Sequence, residues 1–267
     1  MNKSILVIAG NTIQELMRQA IFYCMVGGGG MLIFFSFSFT LFAFGEEAKM
    51  IKEMGMSTIT MCCMCLAIIC AANSISKEIE KGTLMTLLSK PVTRQSIFLG
   101  KFLGIVGVVF CAFFILGIIL ILSLCVQNAM ELHVGFFDSV RIIGIPTFFQ
   151  LLLLFLPLAI ICSVGIAGSL HLPLVSNLIC CLFIYTSGNL IQFFYNQFGG
   201  GDEGFPWLIS LVCIFFPNLE AFSVIGVENV YKSIGCGHVF LLILYALFYI
   251  AFIMLGAFAL FEKKECG

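Results

Sequence analysis

The chain has 267 residues, of which 61% are hydrophobic and only 10% are charged, and its formal net charge is −1. A soluble domain averages about 45–50% apolar and about 25% charged residues, so this composition excludes a water-soluble globule. The near-zero net charge also excludes the basic field that nucleic-acid binding requires. Because the apolar residues come in runs long enough to cross a bilayer as helices, we predict an all-α polytopic membrane protein.

The N-terminal segment 1–19 is amphipathic. Ile5, Ala9, Ile13 and Leu16 follow one another at helical spacing, and polar residues occupy the other faces. This pattern predicts a helix that lies in the membrane interface. The apolar stretch is too short for the core of a secretory signal, so we expect the chain to keep this segment.

Six transmembrane helices are predicted from the apolar runs, over residues 20–44, 57–75, 102–126, 143–167, 174–194 and 237–260. The predicted external loop 195–236 contains one more apolar stretch, at 205–216. That stretch is shorter than a span and is flanked by prolines, which favours a re-entrant segment.

Four consecutive glycines, Gly27–Gly30, interrupt the first predicted span. Small residues allow helix backbones to approach closely, so the run indicates a hinge or a tight helix contact. A locally weak helix that its neighbours tolerate is the alternative, and the sequence does not distinguish between them.

Lysine and arginine are distributed unequally between the two sides of the predicted bundle. With six spans and both termini on one side, that side carries nine of the 13 basic residues, namely Lys3, Arg18, Lys77, Lys81, Lys90, Arg94, Lys101, Lys263 and Lys264. Cytoplasmic loops carry such an excess. We therefore predict that both termini, and the loop between the second and third spans, are cytoplasmic.

The 13 cysteines lie almost entirely within the apolar runs. The cluster Cys62-Cys63-Met64-Cys65 has the soft ligands that Cu(I) prefers. Neighbouring side chains on one helix point about 100° apart, however, so these sulfurs do not converge. We therefore favour packing, in which cysteine acts as a small hydrophobic residue, and we predict no metal site.

Asp, Glu, Lys and Arg are absent from the predicted spans, and the sequence has no G-x-x-x-x-G-K-[ST] phosphate loop. Ion-coupled carriers and intramembrane enzymes need ionisable or metal-binding groups inside the membrane. We therefore predict no catalytic residue and no bound cofactor. If the protein uses ATP, another chain must bind the nucleotide.

The segment 77–101 holds seven of the 27 formally charged residues. It also contains a short apolar stripe of three leucines, Leu84, Leu87 and Leu88. The stripe ends before Pro91, where a helix cannot continue, and a second helix is predicted to run from Arg94 into the third span. A short amphipathic helix of this kind can present its leucines to a groove on a partner protein. The alternative is a solvated loop with ordinary cytoplasmic charge; the pattern favours the docking helix.

The sequence EIEKGTLMTLLSKPVTR (78–94), followed by FLGKFLG (98–104), resembles the cytoplasmic signature of ABC type-2 permeases. Two weaker similarities are YTSGNL (185–190) in the fifth predicted span and FPNLEAF (216–222) in the external loop. The resemblance implies a single transmembrane permease domain over residues 1–267, with the interfacial helix at 1–19, a cytosolic coupling loop at 76–100 and an external loop at 195–236.

The resemblance also implies how such a permease is driven. A cytosolic ABC ATPase subunit, which carries Mg-ATP, would bind the segment 77–94, and two permeases would form a homodimer in the bacterial cell (inner) membrane. The implied ATPase-coupling interface consists of Glu78, Glu80, Gly82, Thr83, Leu84, Leu87, Leu88, Pro91 and Arg94.

We therefore predict the membrane-spanning subunit of an ATP-driven exporter, with the bilayer, an ABC ATPase and a second permease as partners. Its substrate is expected to be hydrophobic or amphiphilic, because the spans offer apolar side chains to a solute. The alternative is a mechanotransmission or regulatory subunit, which would pass ATPase movement to an external or periplasmic protein without transporting anything.

Overall fold

The computed structural model describes residues 2–38, 47–80, 94–132, 136–169, 172–198, 217–222 and 236–264. All regular structure in these ranges is helical, which confirms the all-α prediction. The helices are α1 (Asn2–Met17), α2 (Ala20–Ser38), α3 (Glu47–Glu80), α4 (Arg94–Leu132), α5 (Phe136–Ser139), α6 (Ile145–Ser169), α7 (Leu174–Phe198) and α8 (Cys236–Lys264). A π-helical turn, Val140–Gly144, joins α5 to α6, and Glu220–Phe222 form a 3₁₀ turn.

Apolar runs become helices here because a bilayer offers no water to backbone N–H and C=O groups, which must then bond within their own segment. Four segments are long and apolar enough to cross a membrane: Glu47–Asn73, Leu99–Ala129, Val140–Ser169 and Val239–Phe258. A fifth crossing results if α1 and α2, which meet at a 65° bend, are one broken span. The apolar part of α7, Val175–Leu190, is shorter than the others.

Four of the six predicted spans therefore correspond to helices of membrane-crossing length. The first predicted span lies in α2 and the fifth in α7, and neither helix alone reaches the same length and hydropathy in the described residues. The count of six stays a prediction, and the stretch 205–216 lies outside the described residues.

The core of the bundle lies between α3, α4 and α6, with α2, α7 and α8 packed around them. Its fully buried side chains are large and apolar, and include Met64, Leu66, Ile105, Leu116 and Leu120. By contrast, α8 exposes much of its surface, and Phe248 remains 75% accessible. In a membrane protein such an outer face contacts lipid rather than water.

The glycine run Gly27–Gly30 lies inside α2, which is helical throughout. A side chain at Gly29 would meet Leu116 Cδ2 at 3.1 Å and Cys62 Sγ at 3.2 Å, whereas Gly27 and Gly28 face open space. The tight-contact interpretation is therefore confirmed for the second half of the run. The 65° bend lies between α1 and α2, so the glycines are not the hinge.

Candidate functional site

The two helices that flank the charged segment end at the same end of the bundle. α3 and α4 pack antiparallel, because a side chain at Gly55 would meet Leu120 while Cys62 and Leu116 share Gly29 as a neighbour. Glu80 lies 25 residues beyond Gly55, and Arg94 lies 26 residues before Leu120. At about 1.5 Å per residue, both positions are about 38 Å from the Gly55–Leu120 contact. We call this end the coupling end.

Of the nine residues of the implied coupling interface, the structure places three. Glu78 and Glu80 lie in the last turn of α3, and Arg94 is the first residue of α4, as the sequence predicted. The other six, Gly82, Thr83, Leu84, Leu87, Leu88 and Pro91, lie outside the described residues. Since α3 extends to Glu80 and α4 begins at Arg94, parts of the predicted loop 76–100 are helical.

The charges at the coupling end are oriented against the helix dipoles. A helix C-terminus carries a partial negative charge and an N-terminus a partial positive one, so acids at the former and bases at the latter each cost about 0.3–1 kcal/mol. Glu78 and Glu80 end α3, where only Lys77 opposes them in the same turn, and Arg94 begins α4. At these positions the charges do not stabilise the helices through the helix dipoles.

The helix α1 packs lengthwise against the start of α4, where glycines recur. A side chain at Gly100 would lie 2.9 Å from Ile8 Cβ, and one at Gly104 would lie 2.7 Å from Thr12 Cβ. Gly107, one turn further, is equally close to α1. Only residues without a Cβ permit this approach, as in other Gly-x-x-x-Gly helix pairs.

This contact was not predicted, although its signal is in the sequence. FLGKFLG (98–104) belongs to the stretch that resembles a family signature, and its glycines at 100 and 104 also have the spacing of a helix-packing motif. The predicted apolar face of α1 is confirmed, since Ala9 and Leu16 are buried. Its position in the plane of the interface stays a prediction.

Lys101 lies between two of these glycines and is only 7% exposed. Lysine is rarely buried so deeply unless its ammonium group is satisfied, and its long stem contributes apolar contact area. The sequence placed Lys101 among the cytoplasmic charges that set orientation. The structure shows that its side chain is also buried in the bundle.

Hydroxyl groups in the buried interior mostly bond to their own helices. Thr60 donates to the Met56 carbonyl at 2.7 Å, and Ser163 donates to the Ile160 carbonyl at 2.6 Å. The side chain of Asn177 is different, because its Nδ2 crosses from α7 to the Gly165 carbonyl of α6 at 2.8 Å. Most hydroxyls are therefore already satisfied by backbone and offer little to a polar solute.

Cysteines occupy buried packing positions on four helices: Cys63 and Cys70 on α3, Cys125 on α4, Cys162 on α6 and Cys181 on α7. In the sequence cluster, Cys63 is buried, whereas Cys62 and Cys65 are only partly buried. Within the described residues, no three metal-ligating side chains of the His, Cys, Asp or Glu type converge on a point that could hold an ion.

These features define a polytopic helical membrane protein with a charged connection at one end of its bundle. The family model described as ABC-2 family transporter protein matches residues 36–265. The chain therefore belongs to the ABC-2 transporter family, and the resemblance seen in its sequence is confirmed. It is a permease of the ABC transporter type, a membrane transport component that is not itself catalytic. A comparison with curated proteins gave no match.

Proposed function

We propose that the chain couples ATP hydrolysis by a separate ATPase to movement of its own spans, and that residues 77–94 are the coupling element. The observation that supports this most is the placement of Glu80 and Arg94 at one end of the antiparallel α3–α4 pair. The connection between them carries a leucine stripe that can dock into a protein groove. The charges on either side, set against their helix dipoles, would meet complementary charges on the ATPase.

In this proposal the complex contains two permeases and two ATPase subunits, and Mg-ATP binds to the ATPases. Closure of the ATPase pair on ATP moves the docked connections and so shifts the population of permease conformations. Both α3 and α4 continue from the connection into the core, which gives the movement a direct route to the spans. The protein would have six spans and cytoplasmic termini in a bacterial inner membrane, in keeping with its basic-residue distribution.

The substrate we propose is hydrophobic or amphiphilic, and the direction is export. Support comes from the interior of the bundle, where most of the described buried side chains are apolar. Removing an ion or a sugar from water into such surroundings would cost several kcal/mol per unsatisfied polar group, of the order of 2–7 kcal/mol. A hydrocarbon chain incurs no such cost.

The same observation also supports a second candidate, a mechanotransmission or regulatory subunit. A permease that moves no solute needs no polar path, and hydroxyls bonded to their own helices, such as Thr60 and Ser163, provide none. In that case the ATPase movement would reach an external or periplasmic protein through the far end of the bundle. Transport assays on reconstituted vesicles distinguish the two candidates, since only the first gives ATP-dependent movement of an amphiphile.

The coupling proposal is tested by purifying the tagged protein from native membranes in mild detergent. We expect an ATPase to copurify near equal stoichiometry and to hydrolyse Mg-ATP. Replacing Leu84 and Leu87 by Asp should abolish this copurification, because a buried apolar contact would become two unpaired charges. Leu172→Asp is the matched control, since Leu172 is exposed beyond the end of α6 and should tolerate a charge. Normal ATPase recovery with the double variant would refute the docking helix.

A further inference from the structure

A groove lined entirely by apolar residues runs between α4 and α6. It encloses about 140 Å³ and is open on one side. We call it the phenylalanine groove, and its main residues are Phe110, Phe114, Gly117, Phe148, Leu152 and Phe155. A cavity of about 150 Å³ with apolar walls stays dry and accepts a small hydrocarbon, so this groove has room for several methylene groups.

The groove exists because a glycine faces a wall of aromatic rings. A Cβ at Gly117 would meet Leu151 Cδ1 at 3.3 Å, so the glycine lets α4 approach α6 closely along the groove. Phe155 closes the deep end, with its ring edge-on to Phe110 at a centroid distance of 5.3 Å. The rim is half exposed, at 49% for Phe114 and 52% for Leu152.

The position of the groove along α6 places it inside one leaflet. Arg141 is exposed in the π-helical turn that precedes α6, and Phe148 and Phe155 follow 7 and 14 residues later. At about 1.5 Å per residue these rings lie roughly 10 and 21 Å from Arg141. A headgroup layer is about 5–7 Å deep and each leaflet has about 15 Å of hydrocarbon. With Arg141 at headgroup level, the groove therefore lies at the depth of one acyl chain.

We propose that the phenylalanine groove binds one acyl chain of a glycerophospholipid whose phosphate lies at Arg141. The guanidinium group is suited to a phosphate, since it donates two parallel hydrogen bonds. Asp138, also exposed, lies three residues earlier, so the turn has no net charge and selects the phosphate itself rather than an anionic lipid. A flexible hydrocarbon chain fits an apolar, elongated groove that has no polar group to recognise anything else.

This inference does not depend on the proposed transport function. The groove lies on α4, which begins at the charged connection, and on α6, which packs against α3 in the core. A lipid chain held between α4 and α6 would therefore respond to any change in the spacing of these helices. Lipid composition would then affect the equilibrium between permease conformations, whatever the protein transports.

The test uses tryptophan fluorescence in detergent, with Trp207→Phe as the background. Ile118→Trp places a reporter in the groove, and Phe248→Trp places one on the open face of α8. Phosphatidylcholine with brominated acyl chains, a quencher, is then titrated into the micelles. We expect the groove reporter to be half quenched at a lipid-to-detergent ratio roughly tenfold lower than the control reporter, as for a bound rather than a solvating chain.

Two variants separate the parts of the site. Gly117→Leu fills the groove and should remove the selective quenching, whereas Gly28→Leu adds the same bulk where nothing lies within 4 Å and should leave it unchanged. Arg141→Gln should weaken binding roughly tenfold through loss of a charge-assisted hydrogen bond. Parallel titrations of the two reporters would overturn the inference. Equal quenching by a brominated fatty acid, unaffected by Arg141→Gln, would also overturn it in favour of a single-chain amphiphile.

A second copy of the chain is the other occupant to exclude. A photoreactive benzoylphenylalanine at position 118 is irradiated in native membranes, and the product is identified by its mass. The expected product is the protein plus one phospholipid. A covalent protein dimer joined at this position would overturn the inference and make the groove an interface between copies.

Discussion

The two ends of the helical bundle are held together by different forces. At the coupling end, α1 contacts α4 through glycines, and the backbones approach as closely as side chains allow. At the other end, polar side chains join the helices: Gln127 of α4 donates to Glu47 of α3, and Asn128 Nδ2 donates to Ser139 Oγ at 3.1 Å. Close packing has no fixed partner atoms, whereas each hydrogen bond does. Close packing therefore holds the helices together at the coupling end, and at the other end hydrogen bonds between named atoms fix their register.

The largest effect is expected where the backbones are closest. Gly104→Leu places a side chain 2.7 Å from Thr12 Cβ and should destabilise the α1–α4 contact by about 1–3 kcal/mol through overpacking. The measurement is thermal unfolding in detergent, together with protease sensitivity of the α1 segment. Gly28→Leu is the control, and if the two variants were equally stable, the glycines would not be what holds α1.

An intermediate effect is expected for the amide that joins α6 to α7. Asn177→Leu removes the 2.8 Å hydrogen bond to the Gly165 carbonyl and should cost about 1 kcal/mol, within the range seen for polar contacts in membrane proteins. Unfolding in denaturing detergent measures the loss. A variant as stable as the wild type would mean that lipid-facing packing, not this bond, positions α7.

A smaller loss of stability is expected at the end of the bundle where polar side chains connect the helices. Ser139→Ala removes the acceptor of Asn128 and should cost about 0.6 kcal/mol, the average for such interactions between membrane helices. Combining it with Asn128→Leu in a double-mutant cycle isolates the coupling energy. A coupling energy of zero would contradict the idea that this end fixes the register.

The smallest expected effect is a gain in stability, whereas the three preceding variants lose stability. Replacing Glu78 and Glu80 by Gln removes two negative charges from the C-terminal turn of α3, and should stabilise the isolated permease by a few tenths of a kcal/mol at low salt. The same variant should weaken recovery of the ATPase. Stability is followed by thermal unfolding at low and high ionic strength, where salt should cancel the gain. A loss of stability would show that these acids serve the fold rather than a partner.

The fold class, the family and the helix from Arg94 could be predicted from the sequence, because long apolar runs and a charged motif are local signals. Which apolar side chains are buried and which face lipid could not be predicted from the sequence. Phe222 is buried and Phe248 is 75% exposed, although both are phenylalanines in apolar surroundings. In a membrane chain the lipid-facing side is as apolar as the core, so hydrophobic periodicity no longer marks the inside.

The lengths of the helices were also beyond local signals. α3 begins at Glu47, among charged residues that hydropathy assigns to a loop. It ends at Glu80, again among charged residues. At the Glu47 end, a hydrogen bond from Gln127 of α4 supports the polar start of the helix, as tertiary contacts often override propensity. The α1–α4 contact and the phenylalanine groove both depend on glycines whose partners are distant in the sequence, and spacing alone does not identify such partners.

The contact between α1 and α4 has a consequence for biosynthesis. Ile8 is translated 92 residues before its partner Gly100, and at 5–20 residues per second that delay is about 5–20 s. During this interval the N-terminal helix has no glycine surface to bind, and the predicted interfacial position would cover its apolar face with lipid. The amphipathic pattern of α1 therefore serves the nascent chain first. Only when the start of α4 has left the ribosome can α1 replace its lipid contacts with the contact to the α4 glycines.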